Sequence, residues 1–166
     1  GNAATEVIRT VTVKDTTAPT ITLIGDVDHT VEAGLAFSDP GFTSNDSFEG
    51  DLTSKISITG SVDTNKLGEY TLTYNVSDAS GNKALEVTRK VTVKDTAAPV
   101  ITLRGSATAT VFKDTAYVDA GASATDSFEG DLTAKVAVGG DTVDTSTEGV
   151  YTLTYNVSDS AGNAAV

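Results

Sequence analysis

Residues 68–82, GEYTLTYNVSDASGN, decide the fold, and they return almost unchanged as residues 149–163, GVYTLTYNVSDSAGN. In the first copy Tyr70, Leu72, Tyr74 and Val76 alternate with Thr71, Thr73, Asn75 and Ser77. A period of two puts the bulky side chains on one face and the hydroxyls and amide on the other, the pattern of a half-buried antiparallel strand. Small polar residues from Ser77 to Asn82 then supply a turn, in which Gly81 and Asn82 tolerate positive φ. A second alternating run follows, with Leu85, Val87, Val91 and Val93 set against Glu86, Thr88, Thr92 and Lys94. The two runs read as a hairpin at the centre of a β-sandwich.

Outward from this hairpin the recurrence covers nearly the whole chain. DTTAPTITLIG at 15–25 returns as DTAAPVITLRG at 95–105, and FEGDLT at 48–53 returns at 128–133, each 80 residues on. By the central strand the offset is 81, so one residue enters the second repeat around Gly140, Asp141 and Thr142. Residues 1–15 match residues 81–95. Self-similarity at a fixed period marks a tandem array. In that array residues 1–14 read as the closing strand of a preceding module and residues 15–94 as a complete module. Residues 95–166 read as a second module lacking its closing strand, so the chain begins and ends at one phase of the repeat.

Within the complete module strands are expected near 20–24, 29–33, 42–45, 55–59, 61–63, 69–77 and 84–94. Seven short strands with turn signals between them predict an all-β fold of tandem immunoglobulin-like β-sandwiches. Tyr70 and Tyr151 stand where a tyrosine corner belongs, with Leu72 and Leu153 in place of a cysteine two residues on. Arg9 and Arg89 fall in phase with inward valines, where an unpaired charge is costly, and a bulge turning them outward is the expected resolution.

The chain has 166 residues, so each module holds roughly 80, near the lower end for a self-sufficient core. It contains no cysteine, methionine or tryptophan, which excludes thiol ligation, thiol redox chemistry and disulfide staples. A net charge of −12 argues against nucleic acid and anionic lipid as partners and suits either a solvated extracellular surface or one that gathers cations. No stretch approaches the roughly 20 apolar residues of a membrane span, so direct membrane insertion is not expected. No signal peptide is visible, and Gly1 reads as an excision point.

The motifs D-T-x-A-P-x-I-T-L-x-G, D-P-G-F or D-A-G-A, E-G-D-L-T, V-D-T, G-x-Y-T-L-T-Y-N-V-S-D-x-x-G-N and V-T-V-K-D occur in that order. This series resembles the bacterial and archaeal Ig-like repeats also found in certain pesticidal crystal proteins. The resemblance implies an extracellular or cell-surface location, as carried by large adhesins and surface-layer proteins. It also implies a non-catalytic structural role, with neighbouring Ig-like modules of the same chain or of identical chains as partners. The alternative is an accessory module of a secreted protein that binds glycan or protein, for which Phe42, Phe48 and Phe128 are the candidate loop anchors.

Candidate chemistry gathers at one pole. There a sandwich would collect Asp15, Asp46, Glu49, Asp51, Asp78 and Asn82, and in the second repeat Asp95, Asp126, Glu129, Asp131, Asp159 and Asn163. Carboxylates, amides and carbonyls from three loops suit calcium, which takes six to eight hard oxygens in irregular geometry. The competing reading is structural: Asp51 caps a turn, Asp78 closes an Asx turn and Asp15 solubilises a linker. Nothing points to an enzyme. The lone His29 is Ala109 in the second repeat, no His stands beside a Ser, and Glu49 and Asp51 lie in a duplicated turn. Asn45, Asn75 and Asn156 match the N-x-S glycosylation pattern, which chance also explains. Finally, residues 4–14 are expected against the Tyr151–Ser158 edge of a neighbouring module. Either a continuous chain or a strand donated between subunits achieves this, and the duplicated GNAA at 1–4 and 162–165 favours the continuous chain.

Overall fold

A computed structural model describes residues 1–165; Val166, the last residue assigned to the second module, lies outside the described residues. The first repeat contributes β1 (Thr20–Leu23), β2 (Asp28–Glu32), β3 (Phe42–Asp46), β4 (Gly50–Asp51), β5 (Ser57–Thr59), β6 (Gly68–Asn75) and β7 (Val87–Lys94). The second contributes β8 (Val100–Leu103), β9 (Ala122–Asp126), β10 (Gly130–Asp131), β11 (Ala137–Gly140) and β12 (Leu153–Asn156). The only helical structure among the described residues is a single 3₁₀ turn in each repeat, Thr53–Lys55 and Thr133–Lys135.

The fold is all-β and Ig-like. In the first repeat one sheet has the order β1-β3-β4 and the other β2-β7-β6-β5. β1 runs antiparallel to β3, with Thr20 opposite Asn45 and Leu23 opposite Phe42, and β5 runs antiparallel to β6, with Ser57 opposite Asn75. The second repeat reproduces the first sheet as β10-β9-β8, whereas among the described residues its other sheet holds β11 and β12. The chain divides into two compact units, Gly1–His29, Ser38–Val62 and Glu69–Val91 forming one, and Thr30–Phe37, Asp63–Gly68 and Thr92–Val166 the other.

Period-two patterning gives the core its contents. Leu72, Tyr74 and Val76 of the β6 strand and turn are buried, as are Val91 and Val93 of β7 and Leu52. Phe42 tilts against Tyr74, their ring centroids 5.3 Å apart, a geometry worth about 0.5–1.5 kcal/mol beyond area burial. The turn after β6 closes through a Ser77–Lys83 bridge, and Ser158–Ala164 repeats it. In the second repeat Ala124, Leu132 and Val157 form a smaller cluster, packed by Ile101, Val136 and Ala165.

Three expectations need correction. Arg89 does not turn outward on a bulge. It lies fully buried between the inward-facing Val87 and Val91 of a regular strand. Its guanidinium donates to Asp39 Oδ1, to the Ile24 carbonyl at 2.6 Å and to the Gly41 carbonyl at 3.2 Å. Asp39 also accepts the Tyr74 hydroxyl and, at 2.9 Å, the Gly41 amide. A charge can be buried when a carboxylate and carbonyls replace its water, as they do here at the two terminal nitrogens, while Nε is buried without a partner. Leu85, expected inward, is exposed because β7 begins only at Val87. The strand expected at 61–63 is absent because the backbone turns at Gly60, whose φ is +96°. A Cβ on Gly60 would sit 2.2 Å from the Thr71 carbonyl oxygen, and one on Gly140 would sit 2.2 Å from that of Thr152. Only glycine fits either place. The extra residue of the second repeat follows directly, where Asp141 binds Thr152 twice, amide to carbonyl and carboxylate to amide, both at 2.7 Å.

Candidate metal centre

Three segments converge at one end of each repeat. Asp15 precedes β1, Asp46 ends β3 and Asp78 opens the turn after β6. Their carboxylates each offer an oxygen, all within 4.8 Å of one another, and Asp95, Asp126 and Asp159 form a second cluster on the same terms. At that separation two unit charges repel by roughly 1–3 kcal/mol, depending on the local dielectric.

The local chemistry orients these oxygens. Asp46 Oδ1 accepts the backbone amides of Phe48 and Glu49 at 2.7 and 3.0 Å, and Asp126 Oδ1 those of Phe128 and Glu129 at 2.7 and 2.9 Å. These are Asx turns, which the sequence S-F-E-G permits because its amides are free to fold back. The Glu49 and Phe48 amides hold the Asp46 carboxyl below the usual range. Asp15 Oδ1 takes the Thr17 amide at 2.9 Å, and Asp95 Oδ1 takes that of Ala97 at 3.2 Å. In each of these four residues the other oxygen, Oδ2, is buried with no hydrogen-bond partner. Asp46, Asp95 and Asp126 are 2, 6 and 7% exposed, so water hardly reaches them. A buried carboxylate oxygen without a donor is costly, and the feature recurs in both repeats.

Asn82 braces the site. Its backbone amide and side-chain Nδ2 donate to the two oxygens of Asp78, each at 2.7 Å, and Nδ2 also reaches the Asp15 carbonyl at 3.2 Å. Asn163 does the same for Asp159, at 2.8 and 2.7 Å, and for Asp95 at 3.2 Å. At Asp159 burial pushes the carboxyl up, but the Asn163 side chain and the amides of Asn163, Gly162 and Ala161 outweigh it, and the group lies low. Asp95 lies high, chiefly through burial, with the Asp126 charge next and Asp159 and Glu32 adding to it.

The remaining acidic residues of the pole serve the loops. Glu49 Oε1 accepts the Ala79 amide at 2.6 Å and Oε2 binds Lys55 Nζ at 3.1 Å, and Glu129 likewise takes the Ser160 amide at 2.6 Å and Lys135 at 3.1 Å. Asp51 and Asp131 accept the Thr53 and Thr133 amides at 2.8 Å, and the threonine hydroxyls and amides keep both carboxyls low. Of the twelve residues in the sequence reading, six aspartates meet in threes, two asparagines brace them, and four carboxylates tie loops. Elsewhere, Asn45 is exposed in β3, Asn75 in β6 reaches Glu86 at 3.3 Å, Asn156 ends β12, and His29 is half-buried in β2.

Sequence reasoning missed Glu32. Its Oε1 accepts the amides of Thr96 and Ala97 at 2.8 and 3.2 Å, and its Oε2 the Thr96 hydroxyl at 2.6 Å. The segment carrying Asp95 is thereby clamped, and the Thr96 hydroxyl and amide hold the Glu32 carboxyl low. No repeat signal exposes this residue, because Phe112 stands at its counterpart.

A sandwich whose recurrent residues sit in turns and at one pole defines an Ig-like module. The tyrosine corner completes that picture, since the Tyr151 hydroxyl reaches back to the carbonyls of Asp144 and Thr147 at 2.9 and 3.0 Å. The family profile "Bacterial surface protein, Ig-like domain" matches residues 21–93 and 101–166, and the chain belongs to that family. It is 36% identical over 124 residues to the pesticidal crystal protein Cry22Aa of Bacillus thuringiensis, covering 72% of this chain and 17% of the relative. It is 34% identical over 109 residues to an uncharacterized 81.3 kDa protein of Acholeplasma phage L2, covering 63% and 15%. The chain thus spans less than a fifth of either relative. Among solved structures, the lipoprotein BT2262 of Bacteroides thetaiotaomicron aligns with a TM-score of 0.43 and 28% identity over 51% of this chain and 45% of that one. The structure of CBM51-2 in complex with GlcNAc and INT domains from Clostridium perfringens ZmpB aligns at 0.40 and 24%, covering 52% and 20%. Among the described residues no helix is long and apolar enough to cross a membrane.

Proposed function

We propose that the two repeats are non-catalytic spacer modules of a bacterial cell-surface protein, each holding a calcium ion at its aspartate pole. The observation that carries this reading is the pair of three-aspartate clusters, with Oδ2 of Asp15, Asp46, Asp95 and Asp126 buried and without a donor. A hard cation with oxygen ligands would relieve both the repulsion and the missing hydrogen bonds. Asp15 and Asp95 sit in the segments that lead into their repeats, so the ion would tie each lead-in to its own sandwich. On this reading the modules divide at residues 15 and 95.

Calorimetric titration of the full chain tests it. Calcium should bind at two sites, raise the melting temperature by mass action, and lose one site each in Asp46→Asn and Asp126→Asn. Identical melts in excess calcium and excess chelator would overturn the proposal.

One observation favours the glycan- or protein-binding alternative: Phe48 is 80% exposed at the pole. Its counterpart Phe128 is half-buried near Gly34, where a Cβ would lie 3.7 Å from Phe128 Cδ2. That pairing favours module contact as the use of the ring. A glycan array probed with wild type and Phe48→Ala separates the two readings.

A further inference from the structure

The second aspartate cluster is braced from far back along the chain. β2 ends at Glu32 and pairs with β7. The pairing runs on past the end of β2, where the Ala33 amide donates to the Lys94 carbonyl at 2.8 Å. Asp95, the first aspartate of the cluster, comes next. The compact unit that holds Thr30–Phe37 also holds all three aspartates of that cluster.

Two contacts leave this corner for the cluster. Glu32 Oε1 accepts the amides of Thr96 and Ala97, and Oε2 accepts the Thr96 hydroxyl. The Ala97 amide is shared, because Asp95 Oδ1 accepts it as well, each at 3.2 Å. Both Glu32 oxygens are thereby engaged on Thr96 and Ala97, so Glu32 reaches the site through Asp95. It fixes the backbone from which Asp95 Oδ2, 6% exposed as a residue and without a hydrogen-bond partner, faces Asp126 and Asp159. Two residues on, Gly34 meets the Phe128 ring, since a Cβ there would lie 3.7 Å from Phe128 Cδ2. The Phe128 amide is one of the two that hold Asp126 Oδ1, and Asp126 Oδ2 is the second buried oxygen without a donor.

Residues 32–34 therefore brace two of the three ligand-bearing segments by separate contacts, while Asn163 braces the third from within its own turn. Charge acts in the same sense. The Thr96 hydroxyl and amide hold the Glu32 carboxyl low, so at neutral pH it is a fourth negative charge beside the cluster. Without a cation that charge works against Asp95, and with a divalent ion in place it adds to the attraction.

We propose that Glu32 is a positioning residue of the second cation site, so that calcium at Asp95, Asp126 and Asp159 and the seating of residues 32–34 stabilise one another. This coupling rests on the calcium reading above and names the residue that controls it. Coupling between two binding events is reciprocal, so whatever Glu32 contributes to calcium affinity, calcium returns to the hold of Glu32 on Thr96 and Ala97. Groups that orient metal ligands without touching the ion commonly set affinity by about 10–100-fold.

Calcium titration of the full chain by calorimetry tests the coupling, with Asp46→Asn leaving the second site alone and Asp126→Asn leaving the first. In the Asp46→Asn chain, Glu32→Ala should weaken calcium binding by about tenfold or more. In the Asp126→Asn chain the same change should leave binding within error. Glu32→Gln keeps an oxygen for the two amides and drops the charge, so its affinity should fall between those of glutamate and alanine. A merely structural Glu32 would lower the melting temperature in both variants and leave the affinity alone. In the reverse direction, hydrogen exchange at the Thr96 amide should slow by about tenfold when calcium is added to the Asp46→Asn chain, and stay unchanged in the Asp126→Asn chain. Affinity unchanged in both Glu32 variants, or Thr96 exchange indifferent to calcium, overturns the coupling and leaves the calcium reading standing. A wild type that binds no calcium overturns both.

Discussion

Replacing Arg89 with alanine is the sharpest test of how the first sandwich holds together. The substitution removes the donor to Asp39 and to the Ile24 and Gly41 carbonyls. Breaking a buried ion pair from one side costs about 3–5 kcal/mol, because the surviving charge stays desolvated. Asp39 keeps its bonds from Tyr74 and Gly41, and its side chain is 21% exposed, so water partly re-solvates it. These features place the cost near the lower end, at about 3 kcal/mol. A module of some 80 residues has roughly 4–12 kcal/mol of stability in all. Its melting temperature should therefore fall by about 12–24 °C. Scanning calorimetry of the whole chain would follow the first-repeat transition, with the second-repeat transition as internal reference. Adding Asp39→Asn should recover part of the loss in a double-mutant cycle. A loss below about 1 kcal/mol for Arg89→Ala would refute the idea that this pair is what allows a charge in the core.

Other perturbations separate core, corner and pole. Leu72→Ala should cost about 2–5 kcal/mol in urea unfolding, since Leu72 is buried in β6; a loss within error would mean it packs against little. Tyr151→Phe removes the hydroxyl that binds Asp144 and Thr147 and should cost about 0.5–1.5 kcal/mol in the second transition only. Asp95 lies above its ordinary value, so its charge destabilises the fold increasingly as pH rises through that raised value. Asp95→Asn should thus raise the calcium-free melting temperature at neutral pH and blunt the response to calcium. Asp46, Asp51, Asp131, Glu32 and Glu129 lie below theirs, so their stabilisation is full above the ordinary carboxylate range, 3.8 for Asp and 4.5 for Glu. It is lost as pH falls from that range through the lowered values, and an acid melt monitored by circular dichroism should show the decline beginning at the ordinary values.

How much of this was legible in the sequence depends on how far a residue's partner lies along the chain. β6 and β7 announce themselves by alternation within eight residues, and the turn between them by its own small side chains. Arg89 did not, because its partner Asp39 is 50 residues away and a single sequence records no pairing. The six aspartates of the poles were visible through their recurrence, 80 residues on for Asp15 and Asp46 and 81 for Asp78. Periodicity alone could not tell Asp46, which leaves an oxygen free, from Asp51, which spends its own on Thr53. Glu32 and the Tyr155–Asp119 bond depend on tertiary placement, and the first has no repeat counterpart to mark it. The shortening of β12 is of another kind. Residues 149–152 have the composition of a strand, but a ladder needs a neighbour on which to form.

The clamp of Glu32 on Thr96 and Ala97 also bears on how long such a protein lasts among secreted proteases. A protease must draw several residues into an extended groove and take their main-chain amides for itself. Between β7 and β8 the amides of Thr96 and Ala97 are already engaged, and Pro99 has none to give. Residues 1–14 carry no such restraint and are exposed throughout. Proteases should therefore cut within residues 1–14 before they cut the passage between the two repeats.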